Sequence, residues 1–319
     1  MGNKLIKFNS SLLVNEEEAA KLDYEFFNNF ESEHTRKSYR SDIRQFINFF
    51  NQNYKAPIER VHIVAYRNYL NEKELAPKTI NRKLSSLSSY FDFLVEKGFM
   101  EGNPVTSVKR PKQVPLSPTL DLSDEQVSDI LGSVDASSKS SRLHRAILYT
   151  LFSTGMRKSE LINLKLKDYR EINGHKVLEI MAKGGKFLQK VLHPECILVL
   201  EHYLSWMDSI GRKLEDDEWL FQPTKNPNDP GNLARPLAPK SIDYIVSSHC
   251  KKAGISERIS PHSARATYIG SSLESGADLL TVSQDVGHSS VKTTEEYNKR
   301  RRKLKESPAY GLKYFKKSG

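Results

Sequence analysis

Proline decides where this chain can be divided. The stretch NPVTSVKRPKQVPLSPTLDLS, Asn103 to Ser123, holds four prolines and no amphipathic period. Proline inside a helix removes a backbone donor and clashes with the preceding turn, and prolines in close succession stiffen an extended path. No helix or central strand can run through this stretch, so the chain must fold as two bodies joined by it. With 319 residues in all, each body has enough chain for its own core. The boundaries expected are 1–110 for an N-terminal domain, 111–122 for the linker, 123–305 for a second domain and 306–319 for a basic tail.

Everything before the prolines reads as helix. Glu16 to Phe30, Thr35 to Phe50, Arg60 to Glu72 and Thr79 to Glu96 each carry an apolar stripe. In the last, Ile80, Leu84, Leu87, Phe91 and Leu94 follow helical spacing and Gly98 ends the run. Four such helices predict a small bundle. Its polar faces present Arg36, Lys37, Arg40 and Arg44 in HTRKSYRSDIR, and Lys78, Arg82 and Lys83 in KTINRKLSSLSS. Basic groups among small hydroxyl residues suit contact with a phosphate backbone, and they equally suit an ordinary solvated face.

After the prolines the pattern is mixed but mainly helical. Helices are expected near Ser123 to Leu131 and Leu143 to Phe152, and again from Glu195, Ser241, His262 and Leu279. Between them, HKVLEIMAKGGKFLQKVLHP alternates around Lys183-Gly184-Gly185, which predicts a β-hairpin. The fold class expected is therefore mainly α, with a small β-sheet or hairpin in the second domain.

Charge narrows the partners. The net charge is +10, but residues 298–319 carry nine Lys or Arg against one Glu, leaving the other 297 residues near neutrality. A surface for a polyanion on the body must then be a local patch. No apolar run approaches the ~18 residues of a membrane span, and the N-terminus has no secretory apolar core. Cys196 and Cys250 form no Cys-x-x-Cys pair, as in a reduced cytoplasmic protein. No phosphate-loop signature and no metal-ligand spacing occur, so neither a cofactor nor a metal is expected.

Four places concentrate reactive side chains beside turns. STGMRKSELINL sets Arg157 just after Thr154-Gly155, with Glu160 three residues on. The hairpin presents Lys183. PHSARATY puts His262 and Arg265 on one helix face after Pro261, and VGHSSVKTTEEY places His288 nine residues before Tyr297. Singly, these also fit a surface ion pair, a solvated turn lysine, a satisfied core histidine and a chance tyrosine.

Taken in order, Arg…Lys…His-x-x-Arg…Gly-His…Tyr resembles the tyrosine site-specific recombinases, the phage integrase and Xer-like family. The resemblance runs from about Glu16 to Lys305 and includes the Thr-Gly-x-Arg-x-Ser-Glu-Leu phrase at Thr154 to Leu161 and the Gly-His…Thr-Thr-x-x-Tyr ending. It implies a two-domain C-shaped clamp, an N-terminal helical bundle plus a catalytic domain, that acts on double-stranded DNA with paired inverted half-sites as a homo-tetramer, or with a second recombinase or an accessory protein, in the cytoplasm, at the nucleoid. It also implies roles. Tyr297 is the nucleophile that forms a 3′-phosphotyrosyl link, and Arg157, Arg265 and His288 hold the nonbridging oxygens. His262 helps take the tyrosine proton and Lys183 protonates the leaving 5′-oxygen. The tail would dock on a neighbouring protomer.

The chain departs from the family at Ala266, where His is usual after the second arginine, at Val286, where Leu often precedes Gly-His, and at Lys299, where a second His is common. A type IB topoisomerase-like relaxing enzyme shares the same chemistry, and a non-catalytic DNA-binding protein of the same fold is the alternative from another class. The six reactive residues present here speak against the latter.

Overall fold

The computed structural model describes residues 16–112, 120–135, 138, 140–182 and 185–301. The chain divides into two compact units, Met1–Ser117 and Pro118–Gly319.

The first unit is built from four helices, α1 (Glu16–Asn28), α2 (Glu33–Asn53), α3 (Arg60–Glu72) and α4 (Pro77–Glu96). Two of them begin where the sequence supplies a clear physical reason. The Ser32 side chain caps α2 by accepting from the Thr35 amide, and Pro77 sits at the first turn of α4, where a missing N–H costs nothing. The stripe expected on α4 is buried, and it packs on Phe27, Ile43, Phe46, Phe50, Ile63 and Tyr66. The core is dense in edge-to-face aromatic pairs, such as Phe46 with Tyr66 at 5.2 Å between centroids.

Part of the proline-rich stretch belongs to this unit. Val105 and Val108 are buried in its core. Asn103 donates to Ser88 and Asp92, Arg67 donates to the Lys109 carbonyl at 2.9 Å, and Arg110 reaches the Asn81 carbonyl at 2.9 Å. The other end of the stretch is anchored in the second unit. Leu122 is 3% exposed in its core, and its amide donates to the Thr267 hydroxyl at 2.9 Å.

The second unit surrounds a larger apolar core with α5 (Asp124–Gly132), α6 (Ser141–Thr154), α7 (Lys158–Asn163), α8 (Pro194–Ser209), α9 (Pro239–Lys252), α10 (Pro261–Glu274), α11 (Leu279–Asp285) and α12 (Val291–Arg301). Prolines open α8, α9 and α10, one or two residues before the starts expected from periodicity. An antiparallel sheet of order β1-β2-β3 packs against these helices, with β1 at Tyr169–Ile172, β2 at His175–Ala182 and β3 at Lys186–Val191. The hairpin was expected. Strand β1 was not, because four residues are too few to show an alternation. The β2–β3 register pairs Ala182 with Lys186 at the end of the hairpin. On β3, Leu188 and Lys190 face inward, whereas Phe187 and Val191 are exposed.

Candidate active site

Four of the six residues singled out in the second domain come together as a connected set. The set begins at Gly155, which ends α6 in the left-handed conformation with a φ of 58°. Glycine is required there twice over, since a Cβ would also lie 2.4 Å from the Tyr268 ring. The turn releases Arg157 as the N-cap of α7. Glu160 fixes it reciprocally: one carboxylate oxygen accepts from the Arg157 amide at 2.6 Å, and the other accepts from its guanidinium at 2.7 Å. Glu160 is buried, so this is no surface pair.

Arg265 lies on α10 and is 2% exposed. Its guanidinium donates to the Gly155 carbonyl at 2.8 Å and to the Val286 carbonyl at 2.5 Å. Arg157 donates to the next carbonyl in line, that of Gly287, at 3.2 Å. Arg265 is thus held by backbone oxygens, which carry no full charge to neutralise it, beside Arg157, whose charge is shared between Glu160 and the Gly287 carbonyl. Burial, and then the neighbouring Arg157 charge, lower the Arg265 pKa to about 10. It remains cationic at neutral pH, and two partly uncompensated planar cations make a site for a tetrahedral anion.

His288 follows Gly287, whose φ is 64°. Its Nδ1 lies 2.8 Å from the hydroxyl of Thr294, a fully buried residue of α12. Burial, followed by the charges of Arg265 and Arg157, lowers its pKa to about 4, so the ring is neutral at pH 7. A hydroxyl donating to Nδ1 leaves the proton on Nε2, where it can be donated in turn. Tyr297, 8% exposed, lies with its ring nearly parallel to that of His288, at 6.3 Å and 16°. Its seat is apolar: Ala266, Ile269, Val282 and Val286 form one cluster with it. Two of the departures from the family pattern, Ala266 and Val286, are therefore side chains of the tyrosine's own pocket.

His262 is one helical turn before Arg265 and is exposed, and its charge contributes to lowering the His288 pKa. Lys183 lies outside the described residues, as does the tail from residue 302 onward. The hairpin that carries Lys183 does reach the site, since a Cβ on Gly287 would meet Leu188 at 2.6 Å and Ala182 at 3.8 Å.

The basic residues of the first unit divide into two kinds. Arg44 and Lys78 are exposed, and Arg40 is exposed with its guanidinium 4.6 Å above the Phe27 ring. Lys37 pairs with Glu33 on the surface, and Arg36 donates to Asn28 at 3.3 Å. Lys83 must be corrected: it is 5% exposed and donates to Asp42 at 3.0 Å and Gln45 at 2.6 Å, which commits it to the interior. Arg82 makes a bidentate pair with the same buried Asp42, and only its outer half faces solvent.

Sequence reasoning missed Lys190, Tyr268 and Asp285, which surround the arginines. The one signal was Lys190 at the inward parity of β3, next to Leu188.

The model of the phage integrase family matches residues 121–303, and that of the phage integrase N-terminal SAM-like domain matches residues 26–98. The tyrosine recombinase XerC of Thermodesulfovibrio yellowstonii is 31% identical over 278 residues, covering 84% of this chain and 86% of that protein. The tyrosine recombinase XerD of Listeria innocua is 28% identical over 271 residues, covering 83% and 88%. Among solved structures, XerH bound to a palindromic difH substrate in a post-cleavage complex matches with a TM-score of 0.70 at 18% identity, over 95% of this chain and 90% of that one. A lambda integrase dimer, residues 75–356, bound to a COC′ core site matches at 0.65 and 18%, over 89% and 95%. Both share the fold.

Proposed function

Since the chain belongs to the phage integrase family and is a tyrosine recombinase, an enzyme that cuts and rejoins DNA, we propose that Tyr297 attacks the scissile phosphate within the anion site formed by Arg157, Arg265 and His288. The observation that carries this reading is the convergence of these four residues through the Gly155, Val286 and Gly287 carbonyls and the His288–Tyr297 contact. Nucleophile and anion site belong to one unit of one chain, so cleavage occurs in cis.

The chemistry follows from the parts. A phenol ordinarily titrates near pH 10 and is a weak nucleophile at neutral pH, and the nearby guanidinium groups favour the phenolate. As the Tyr297 oxygen bonds to phosphorus, its proton passes toward His262, which is open to solvent on the rim. The arginines and the His288 Nε2–H stabilise the charge growing on the nonbridging oxygens. The bond to the 5′-oxygen breaks, and Lys183 supplies its proton. A 3′-phosphotyrosyl link and a free 5′-hydroxyl remain. The link conserves the phosphodiester energy, so a second 5′-hydroxyl can attack it and rejoin the strands.

The exposed cations of α2 and α4, Arg40, Arg44 and Lys78, would hold the same duplex through its backbone. Paired inverted half-sites occupied by four copies complete the reading. A lambda integrase tetramer bound to a Holliday junction has the same fold, with a TM-score of 0.65.

The test works whatever the target sequence is. A nicked duplex library with a randomised core is incubated with the protein, denatured, and sorted for DNA that stays attached to the protein. The wild type should retain and enrich particular sequences, and Tyr297→Phe should retain none. Retention by the Phe variant would move the nucleophile elsewhere and defeat the assignment.

A further inference from the structure

Strand β3 carries a charge where a strand face packed on helices should be apolar. Lys190 is 1% exposed, and none of the family motifs includes it. Its ammonium meets Asp285 Oδ2 at 2.8 Å, the Tyr268 hydroxyl donates to the same oxygen at 2.9 Å, and the ammonium stands 5.7 Å from the centre of the Tyr268 ring. Burying this cation is costly, and its own pKa is lowered, first by desolvation. An apolar side chain at 190 with another at 285 would fill the space without that cost, so stability alone does not account for the arrangement.

Position does. Asp285 directly precedes Val286 and Gly287, whose carbonyls hold Arg265 and Arg157. The Tyr268 ring lies against Gly155, the other carbonyl that holds Arg265. Two residues before Lys190 on the same strand, Leu188 lies over Gly287. The three side chains therefore touch every backbone segment that orients the two guanidinium groups, and Lys190 ties those segments to strand β3.

We propose that Lys190, Asp285 and Tyr268 form a positioning triad for the phosphate-binding arginines, locking the 285–287 segment and the Gly155 turn so that both guanidinium groups face the scissile phosphate together. None of the three touches the reacting atoms. The inference rests on the catalytic assignment made above. It predicts that loss of the triad harms the chemical step far more than DNA binding, because misplacing catalytic groups by about 1 Å costs on the order of a hundredfold in rate.

The experiment uses sites captured from the nicked library by the wild type. Single-turnover adduct formation at saturating protein is measured beside site affinity and thermal melting, with Tyr297→Phe as the blank. Lys190→Met alone leaves Asp285 short of its cation and should lower the melting temperature. Lys190→Met with Asp285→Leu should regain most of it and bind within about threefold of the wild type, yet form adduct at least about tenfold more slowly. Tyr268→Phe keeps the ring against Gly155 and removes only the hydroxyl. It should melt near the wild-type temperature while slowing adduct formation several-fold, and it decides the matter if the double variant does not fold. A folded double variant, or Tyr268→Phe, that cleaves at the wild-type rate overturns the proposal. So does rescue of the double variant by a 5′-bridging phosphorothiolate, because sulfur leaves without a proton and rescue would make Lys190 an acid rather than a positioner. A wild type that forms no adduct, or an adduct that survives Tyr297→Phe, overturns the catalytic assignment and this inference with it.

Discussion

At the scale of single residues, backbone carbonyls take on part of the task that carboxylates have elsewhere, while Glu160 supplies a carboxylate to Arg157. Arg265 spends two of its donors on Gly155 and Val286 and keeps its charge for a ligand. His288 is handled in the same spirit. With its pKa lowered to about 4, it is neutral across the physiological range, and a Thr294 hydroxyl that donates to Nδ1 would leave the proton on Nε2. Thr294→Val keeps the shape of a fully buried side chain and removes that hydrogen bond. A neutral hydrogen bond is worth about 0.5–1.5 kcal/mol, so adduct formation should slow by up to about tenfold while site affinity stays constant. An unchanged single-turnover rate would show that the tautomer is set in another way. The candidate residues could be singled out in the sequence because phosphoryl chemistry calls for these types of side chain, and the structure brings Arg157, Arg265, His288 and Tyr297 together. Tyr268, Asp285 and Lys190 could not be, because a tyrosine, an aspartate and a lysine far apart in sequence carry no period, and only the packing of β3, α10 and α11 brings them into one cluster.

At the scale of elements, helical spacing foretold which apolar side chains of α4 would be buried but not which of its cations would be. Lys83 lies between Arg82 and Leu84, and neighbouring residues on a helix face differ by about 100°. Arg82 points half outward and Lys83 inward, and the buried Asp42 of α2, with Gln45, makes the inward position tolerable. The cluster, with Ser86 donating to the same carboxylate at 2.9 Å, joins α2 to α4, whereas Arg44 and Lys78 are exposed. Burial thus separates two kinds of cation that the sequence ran together. Lys83→Met should destabilise the protein by about 1–3 kcal/mol, since a buried acceptor loses a charged partner, and leave the salt dependence of DNA binding unchanged. Arg44→Ala should do the reverse, with melting unmoved and the log–log salt slope reduced by about one unit for a lost phosphate contact. Fluorimetric melting and gel-shift titrations across a salt series measure the two effects. A lower slope for Lys83→Met with full stability would show that the lysine leaves its pocket to reach DNA. The short strand β1 and the exact starts of α8, α9 and α10 escaped sequence reading for simpler reasons. Four residues show no alternation, and proline at a first turn extends a helix past its last apolar marker.

At the scale of the whole molecule, the two units have separate apolar cores with no residue in common, and the proline-rich stretch is fastened into both. Its role as a divider was readable because proline acts locally. The fastening was not, because Val105, Val108 and Leu122 look like any isolated apolar residues until the cores exist. Assembly is the remaining question at this scale, and the tail is where the sequence offers an answer. Residues 302–319 lie outside the described residues, and their composition is what bears on it. Lys299 to Lys305 are almost all basic, whereas Tyr310, Leu312, Tyr314 and Phe315 follow a Pro308 break. Basic residues suit phosphates, and clustered aromatics suit a pocket on a partner. Truncation after Glu306 removes the second group and keeps the first. Binding to a single captured half-site, and its salt slope, should then change little, because each lost phosphate contact would lower the slope by about one unit. Cooperative filling of two half-sites should fall sharply, and recombination with it. Gel-shift titration of paired half-sites against the full-length protein measures this directly. If the truncated protein still fills both half-sites cooperatively, the coupling between copies resides in the folded units and not in the aromatic segment.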